Sequence, residues 1–337
     1  MKGRVIALDH HDGAEAAALM VDGRLEDLYI DTDLPRPGTI YRAIAERPVK
    51  GQGGMFVQTP DGTAFLRQVK GLAPGQPILV QVTGYAEPGK AIPVTAKLLF
   101  KSRYVIVTPG APGVNVSRSI RDEQERDRLL ELAHDAGGAG GHGVILRSSC
   151  EGVVDEELVD DLHQTALLAQ QVLADAEARH PDVLSEGDGP HLLAWREWTQ
   201  PADVDTSAGS FEVLGVLDAL DALASPEVAL SGGGSCWIEP TRALVAVDVN
   251  TGGDTSPAAG IKANLAMARD LPRQLRLRGL GGQIVLDLAP MAKKDRRQFE
   301  SALRGALKTD GVETAMVGWT PLGHYELQRK KDRLPHG

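Results

Sequence analysis

Two aspartates in the last third of the sequence each close a short run of apolar, β-favouring residues. Asp248 ends the run LVAVD and precedes Asn250 by two positions, while Asp287 ends the similar run IVLD. A long predicted helix separates the two runs, which favours parallel strands joined by a right-handed crossover. Both carboxylates would then emerge at one edge of a sheet, where they repel each other unless a cation joins them. Mg²⁺ suits such a pair because it binds one or two carboxylates and bridges to phosphate.

The surroundings of the aspartates fit a site that handles phosphate. Asn250 lies on the same side of the predicted strand as Asp248 and can orient a water or a phosphoryl oxygen. Gly252 and Gly253 let a backbone approach closely. Residues 257–304 hold ten Lys and Arg against four Asp and Glu, an excess that can attract phosphate although the whole chain carries a net charge of −10. The alternative, in which the aspartates cap helices and the charges form solvated faces, stays open at this point.

These residues belong to a chain that changes pattern along its length. From residue 235, apolar strands alternate with helices, which predicts an α/β layer structure. Between 38 and 98, five short strand-like runs with Gly and Pro turns predict a small closed barrel of the OB type. HLLAWREW, residues 191–198, is predicted as a short strand between loops.

Two further groups of residues have both a binding and a structural interpretation. Phe56 and Phe65 fall on neighbouring predicted strands of the barrel, where they either stack bases or fill the core. Arg147 and Ser148 follow the run GVIL, where a cation beside a hydroxyl either holds a terminal phosphate or forms a surface turn.

Bulk composition restricts the class of protein. The chain has 337 residues, 42% hydrophobic and 24% charged, as in a soluble globular protein with several domains. No apolar run approaches the roughly 18 residues that span a bilayer. The two cysteines, Cys150 and Cys236, lie far apart without CxxC spacing. The sequence therefore predicts a cytoplasmic protein without a membrane span.

Several motifs together resemble a known family. The segments ALVAVDVN and NLAMARDLPRQLRLRGLGGQIVLDLAPM resemble the catalytic signature of the ribonuclease E/G family of bacterial endoribonucleases, and GTIY, YVIVTP, GVILRSS and ELQRKKDRL follow the order of that family. The resemblance implies an α/β multidomain fold in which an RNase H-like subdomain is interrupted by an OB-fold RNA-binding domain and followed by a 5′-end sensor and a DNase I-like catalytic subdomain. The implied ranges are 1–36 and a shortened 188–232 (RNase H-like), 37–98 (OB-fold), 99–187 (sensor) and 233–337 (catalytic).

The resemblance also implies roles for individual residues. Asp248 and Asp287 match the family's magnesium ligands, and Asn250 matches the asparagine that positions the attacking water or the scissile phosphate. The remaining implied contacts are RNA binding by Phe56, Phe65, Lys90, Arg273 and Arg276, and a 5′-phosphate pocket formed by Arg147, Ser148 and Ile106. Ser148 stands where the family usually has threonine.

The implied activity is magnesium-dependent hydrolysis of single-stranded RNA, leaving a 5′-phosphate and a 3′-hydroxyl, with Mn²⁺ as a substitute ion. The expected partners are messenger RNA or ribosomal RNA precursors. The family's CPxC zinc link is absent from the sequence, so no zinc is expected, a homodimer formed without that link is left open, and no scaffold segment for a degradosome is expected. The shortened domains keep an alternative open, a non-catalytic or degenerate RNA-binding regulator of the same family. A phosphoesterase acting on small nucleotides would leave the barrel without a role.

Overall fold

The computed structural model describes residues 2–49, 53–67 and 71–335. The elements of the first part are β1 (Arg4–His11), β2 (Ala14–Val21), β3 (Arg24–Ile30), β4 (Ile40–Val49), β5 (Gly54–Thr59), β6 (Gly62–Leu66), β7 (Pro77–Val82), β8 (Ile92–Thr95), β9 (Phe100–Lys101), β10 (Val105–Thr108), β11 (Gly113–Val116), α1 (Glu123–Asp135), β12 (Gly143–Leu146), α2 (Asp155–Ala174), β13 (Asp182–Ser185) and α3 (Pro190–Glu197). Those of the second part are β14 (Asp203–Asp205), α4 (Ser210–Val213), α5 (Val216–Leu223), β15 (Glu227–Ala229), β16 (Ser235–Pro240), β17 (Val245–Asn250), α6 (Ala259–Leu277), β18 (Gly282–Asp287), α7 (Arg296–Thr309), β19 (Thr314–Trp319) and β20 (Tyr325–Arg329).

The chain divides into two compact units. One unit comprises Met1–Asp12, Ala16–Tyr29 and Ala202–Gly337, and the other comprises Gly13–Glu15 and Ile30–Pro201. No helix in the described parts of the chain is long and apolar enough to cross a membrane. The subdomain names and boundaries that the family resemblance implies stay predictions.

A closed barrel lies in the unit that contains residues 30–201. Strands β4, β5, β6, β8 and β7 pair in that order, and β7 pairs back onto β4. Side chains that alternate along the strands fill the interior, among them Tyr41, Val57, Leu66 and Val80, all at most 1% exposed. The prediction of a mixed α/β chain with a closed, OB-like barrel of five strands is therefore confirmed.

The same unit holds a second, smaller layer. Strands β11, β12, β10 and β9 form a four-stranded sheet, and helices α1 and α2 pack their apolar faces against it. The predicted strand at 191–198 is wrong, because this segment is helix α3. Pro190 at the first turn suits a helix start, and the buried residues Pro190, Ala194 and Trp198 recur every four positions, a helical spacing rather than the alternation of a strand.

The other unit contains a six-stranded mixed sheet in the order β15-β16-β17-β18-β20-β19. Strands β17 and β18 are parallel, as the sequence predicted, and α6 forms the crossover between them. Apolar side chains from one face of this sheet, including Val247, Ile284 and Leu286, pack with Met267 of α6 and Phe299 of α7. Helices α6 and α7 therefore cover one face of the sheet at its central strands β17 and β18. A four-stranded sheet in the order β14-β1-β2-β3 joins residues 203–205 to the N-terminal meander.

Candidate catalytic site

Asp248 and Asp287 are direct cross-strand partners. The parallel register of β17 and β18 places Asp248 opposite Asp287. Both side chains are exposed, while their neighbours Val247, Val249 and Leu286 point into the core. Because successive side chains of a strand alternate between faces, both carboxylates stand on the face opposite the core. The pairing inferred from two similar strand ends is thus present in the fold.

Asn250 completes a compact polar group with the two carboxylates. It follows Asp248 by two positions on β17, so both residues share the open face, and its Nδ2 donates to Asp248 Oδ2 at 2.8 Å. In the described part of the chain no lysine or arginine pairs with either carboxylate. Two neighbouring carboxylates without a lysine or arginine partner are the arrangement that a bound metal ion stabilises.

A histidine that no sequence pattern indicated lies beside this group. Tyr325 of β20 pairs with Leu286 of β18, so His324 falls next to Asp287. The Nδ1 atom of His324 lies 3.3 Å from Asp287 Oδ1, within ion-pair distance but outside hydrogen-bond geometry. Its backbone N–H donates to Thr320 Oγ1 at 3.1 Å, which holds the turn before β20. Only the antiparallel return of β20 onto β18 brings this histidine to the site, and no local motif marks it.

The segment that follows Asp287 is fixed by helix α6. Asn264 is fully buried and forms two hydrogen bonds with Ala289. Its Nδ2 donates to the carbonyl oxygen of Ala289 at 2.8 Å, and the backbone N–H of Ala289 donates to Asn264 Oδ1 at 3.0 Å. Gly260 packs so closely that a Cβ atom there would lie 1.9 Å from the carbonyl oxygen of Pro290. The sequence predicted a role for neither Asn264 nor Gly260. The hydrogen bonds of Asn264 and the close approach at Gly260 hold the chain after β18 against the first turns of α6.

Gly252 has an internal structural reason to be glycine. Its φ is +60°, and a Cβ atom there would lie 2.4 Å from the carbonyl oxygen of Gly233. Gly234 approaches the carbonyl oxygen of Asn250 in the same way, with a Cβ distance of 2.5 Å. Gly234 before β16 and Gly252 after β17 therefore let two loops pack together beside the carboxylates, whereas Gly253 has open space around it.

The donor set fits an ion that keeps much of its water shell. In residues 2–49, 53–67 and 71–335, no group of three or more His, Cys, Asp and Glu side chains could hold a metal ion. Two carboxylates therefore provide only part of a coordination sphere. Mg²⁺ is commonly bound through one or two carboxylates together with waters and substrate phosphate.

Phe56 and Phe65 lie on the outside of the barrel. They are direct partners across β5 and β6, with ring centroids 5.4 Å apart, and neither belongs to the buried cluster of the barrel. A Cβ atom on Gly54 would lie 2.5 Å from the Phe65 ring, so glycine makes room for it. The Arg47 guanidinium carbon lies 5.4 Å from the Phe56 ring centroid. The rings thus form a half-exposed aromatic pair beside a cation rather than core packing.

Lys90 is an exposed cation in the loop before β8. Its side chain is 68% exposed and pairs with Glu87. Because β8 is the neighbour of β6 in the barrel, this loop adjoins the strand that carries Phe65. Surface pairs of this kind contribute little to stability, so the lysine can exchange Glu87 for another anion at small cost.

The predicted 5′-phosphate pocket contains an internal carboxylate. Ile106 pairs with Ile145 across β10 and β12, and Arg147 follows two positions later on the same face. The Arg147 guanidinium donates to Glu197 Oε2 at 2.6 Å and to the Ser102 carbonyl at 2.6 Å. Ser148 is exposed at the start of a short 3₁₀ turn.

Glu197 is held in its charged form. Burial raises the pKa of Glu197, but attraction and hydrogen bonds from Arg147 and Arg196 outweigh that effect and hold the pKa below its usual range. Arg196 also pairs with Asp188. Arg147 and Arg196 thus already have carboxylate partners.

Arg273 and Arg276, expected to bind RNA, both point to internal partners. Arg273 donates to Asp270 Oδ1 at 2.8 Å and to the Leu25 carbonyl at 2.7 Å. Arg276 contacts Asp310 and donates to Glu26 Oε1 at 2.9 Å. Although burial lowers the pKa of Arg276, Asp27 and Asp310 outweigh that effect and raise it. Both arginines stabilise the unit that contains α6, and RNA contact through them stays a prediction.

Known proteins resemble this chain over most of its length. The model of the ribonuclease E/G family matches residues 100–203 and 202–332. The chain belongs to the ribonuclease E/G family. Its relatives include ribonuclease G of Escherichia coli K12, 30% identical over 95% of this chain and 78% of that protein, and ribonuclease E of Nostoc sp., 28% identical over 98% of this chain. The chain spans 56% of the length of the Nostoc ribonuclease E.

Proposed function

We propose that this member of the ribonuclease E/G family is a divalent-metal-dependent endoribonuclease that hydrolyses single-stranded RNA. The observation that supports the proposal most is the cross-strand pairing of Asp248 with Asp287, with Asn250 hydrogen-bonded to Asp248. Among the described residues no lysine or arginine pairs with either carboxylate. The relatives whose names are ribonuclease E and ribonuclease G support the same activity.

In this proposal Asp248 and Asp287 hold Mg²⁺, or Mn²⁺ as a substitute, on the open face of the sheet. When bound, the ion would supply an activated water and would offset the charge on the phosphoryl oxygens. Asn250 uses one N–H of its amide to orient Asp248. Its remaining N–H and its Oδ1 bond to none of the described residues, so they can orient a water or a phosphoryl oxygen. In the proposed reaction water attacks the phosphorus and the bond from phosphorus to the 3′-oxygen breaks, so the products carry a 5′-phosphate and a 3′-hydroxyl.

The barrel contributes RNA binding in this proposal. The outward aromatic pair Phe56 and Phe65 offers faces on which unpaired bases stack, each contact worth about 1–3 kcal/mol. Arg47 lies against Phe56, and Lys90 lies in the loop next to the β-strand that carries Phe65, so both supply cations near the aromatic pair. Such binding tolerates many sequences and weakens with salt. We place the activity in the cytoplasm, in the decay of messenger RNA or the maturation of ribosomal RNA precursors.

Cleavage of a labelled single-stranded oligonucleotide tests the proposal. We expect turnover with Mg²⁺ or Mn²⁺, none with EDTA, little on the same sequence in a duplex, and products that carry a 5′-phosphate and a 3′-hydroxyl. Tight RNA binding without turnover in either ion would instead identify a non-catalytic RNA-binding regulator. Gln283→Ala is the control substitution, because Gln283 is exposed at the end of β18 opposite to Asp287. This variant should cleave RNA at the wild-type rate.

A further inference from the structure

An exposed tryptophan extends the row of polar residues across the sheet. The antiparallel register of β16 and β17 places Trp237 directly opposite Asp248, which in turn pairs with Asp287 on β18. The neighbours of Trp237 on β16, Cys236 and Ile238, are 2% and 1% exposed in the core. The indole is 39% exposed and so lies on the same open face as the carboxylates. Adjacent strands are about 4.8 Å apart, so the ring flanks the candidate metal site at the distance of one strand.

The Trp237 indole has no partner in the described part of the chain. The other tryptophans are engaged: Trp319 contacts Phe299 and donates to Glu300, Trp195 lies against Arg103, and Trp198 also has a partner. No hydrogen bond, cation or aromatic ring contacts the Trp237 side chain among the described residues. Packing therefore does not explain a large aromatic residue on the open face.

We propose that Trp237 stacks on an unpaired base adjacent to the scissile phosphate and thereby positions the RNA strand on Asp248 and Asp287. This inference rests on the proposed endoribonuclease function. An indole face accepts any base, so the contact selects for an unpaired nucleotide rather than for a sequence. A paired base has its faces covered by its neighbours in the helix and cannot stack on the ring without being turned out. Trp237 is thus a specificity-determining residue for single strands at the cleaved bond.

The test combines variants of Trp237 with substrates that lack one base. We expect Trp237→Ala to lower kcat/KM on single-stranded RNA by roughly 5- to 150-fold, from about 1–3 kcal/mol of stacking, whereas Trp237→Phe retains most of the rate. Removing the base next to the cleaved bond should slow the wild-type protein by a similar factor and leave Trp237→Ala unaffected. Val317→Ala is the control, because Val317 is an exposed residue of β19 in the same sheet and lies outside the row formed by Trp237, Asp248 and Asp287. This variant should respond to base removal as the wild type does.

A binding readout separates this inference from the proposed activity. In EDTA, single-stranded RNA should quench the tryptophan fluorescence of the wild-type protein more than that of Trp237→Phe, and this holds even if no RNA is cleaved. Equal base dependence of cleavage in the wild type and Trp237→Ala would overturn the inference. So would unchanged RNA binding and cleavage together with a changed sedimentation coefficient of Trp237→Ala, which would assign the ring to a contact between copies of the chain.

Discussion

The two hydrogen bonds between Asn264 and Ala289 give a prediction for the stability and the activity of the catalytic unit. Asn264→Leu keeps the approximate volume of the side chain but removes both the donor and the acceptor. The N–H and the carbonyl of Ala289, a residue that is 3% exposed, would then have no partner from α6. The segment after Asp287 would be released from the helix that fixes it.

The magnitude follows from the burial of both partners. A buried backbone group left without a partner costs about 1–3 kcal/mol, so the two groups together predict a loss of about 2–6 kcal/mol in the free energy of unfolding. For a unit of this size, such a loss lowers the midpoint of thermal unfolding by roughly 5–15 °C. We also expect kcat to fall further than the unfolded fraction explains, because Asp287 stands two residues before Ala289.

Thermal and urea unfolding followed by circular dichroism measure the stability, and turnover is assayed well below the unfolding midpoint. Arg269→Ala, an exposed substitution on the same helix, is the stability control and should change the free energy by no more than about 0.5 kcal/mol. A loss below about 1 kcal/mol for Asn264→Leu, with unchanged kcat, would refute the view that these bonds fix the segment after Asp287.

Three further predictions follow from individual contacts. Glu197→Gln should free the Arg147 guanidinium and raise the preference for 5′-monophosphate over 5′-hydroxyl RNA by about tenfold in competitive cleavage. This factor corresponds to one charge-assisted hydrogen bond of ~1.5 kcal/mol. An unchanged preference would show that Glu197 does not compete with phosphate. Burial raises the pKa of Cys150 and of Cys236 to about 12, so neither thiol should react with a disulfide reagent at pH 8 until the chain is unfolded, and rapid labelling of the native protein would contradict this. Phe65→Ala should weaken binding of single-stranded RNA in EDTA by roughly 5- to 150-fold by fluorescence anisotropy, and unchanged affinity would leave the aromatic pair a purely structural role.

The sequence predicted those features that depend on local alternation. Asp248 and Asp287 each follow apolar runs of strand type, and the helix between them requires parallel neighbours, so their pairing follows from the sequence pattern alone. The barrel could be expected for the same reason, since five short runs separated by turns have few ways to bury their apolar sides. Phe56 and Phe65 could not be assigned to the core or the surface, because that choice depends on which face the barrel closes around.

Other features depend on contacts between distant parts of the chain. An excess of positive charge around α6 suggested RNA contact, but the partners of Arg276 are Asp27 and Asp310, which no spacing along the sequence connects to it. His324 and Trp237 reach the site only through strand registers. Helix α3 has few buried residues, and their spacing of four is too short a pattern to separate a helix from a strand by sequence alone.

The most direct test of the central claim is the rate at which Asp287→Asn cleaves a 5′-monophosphorylated single-stranded oligonucleotide in Mg²⁺. The substitution keeps the size of the side chain and removes one of the two charges that hold the ion. We predict that kcat falls on the order of 10³-fold, equivalent to several kcal/mol of lost stabilisation, while circular dichroism shows a folded protein. A folded Asp287→Asn variant that cleaves within about threefold of the wild-type rate would contradict the assignment of this pair as the metal-binding catalytic site.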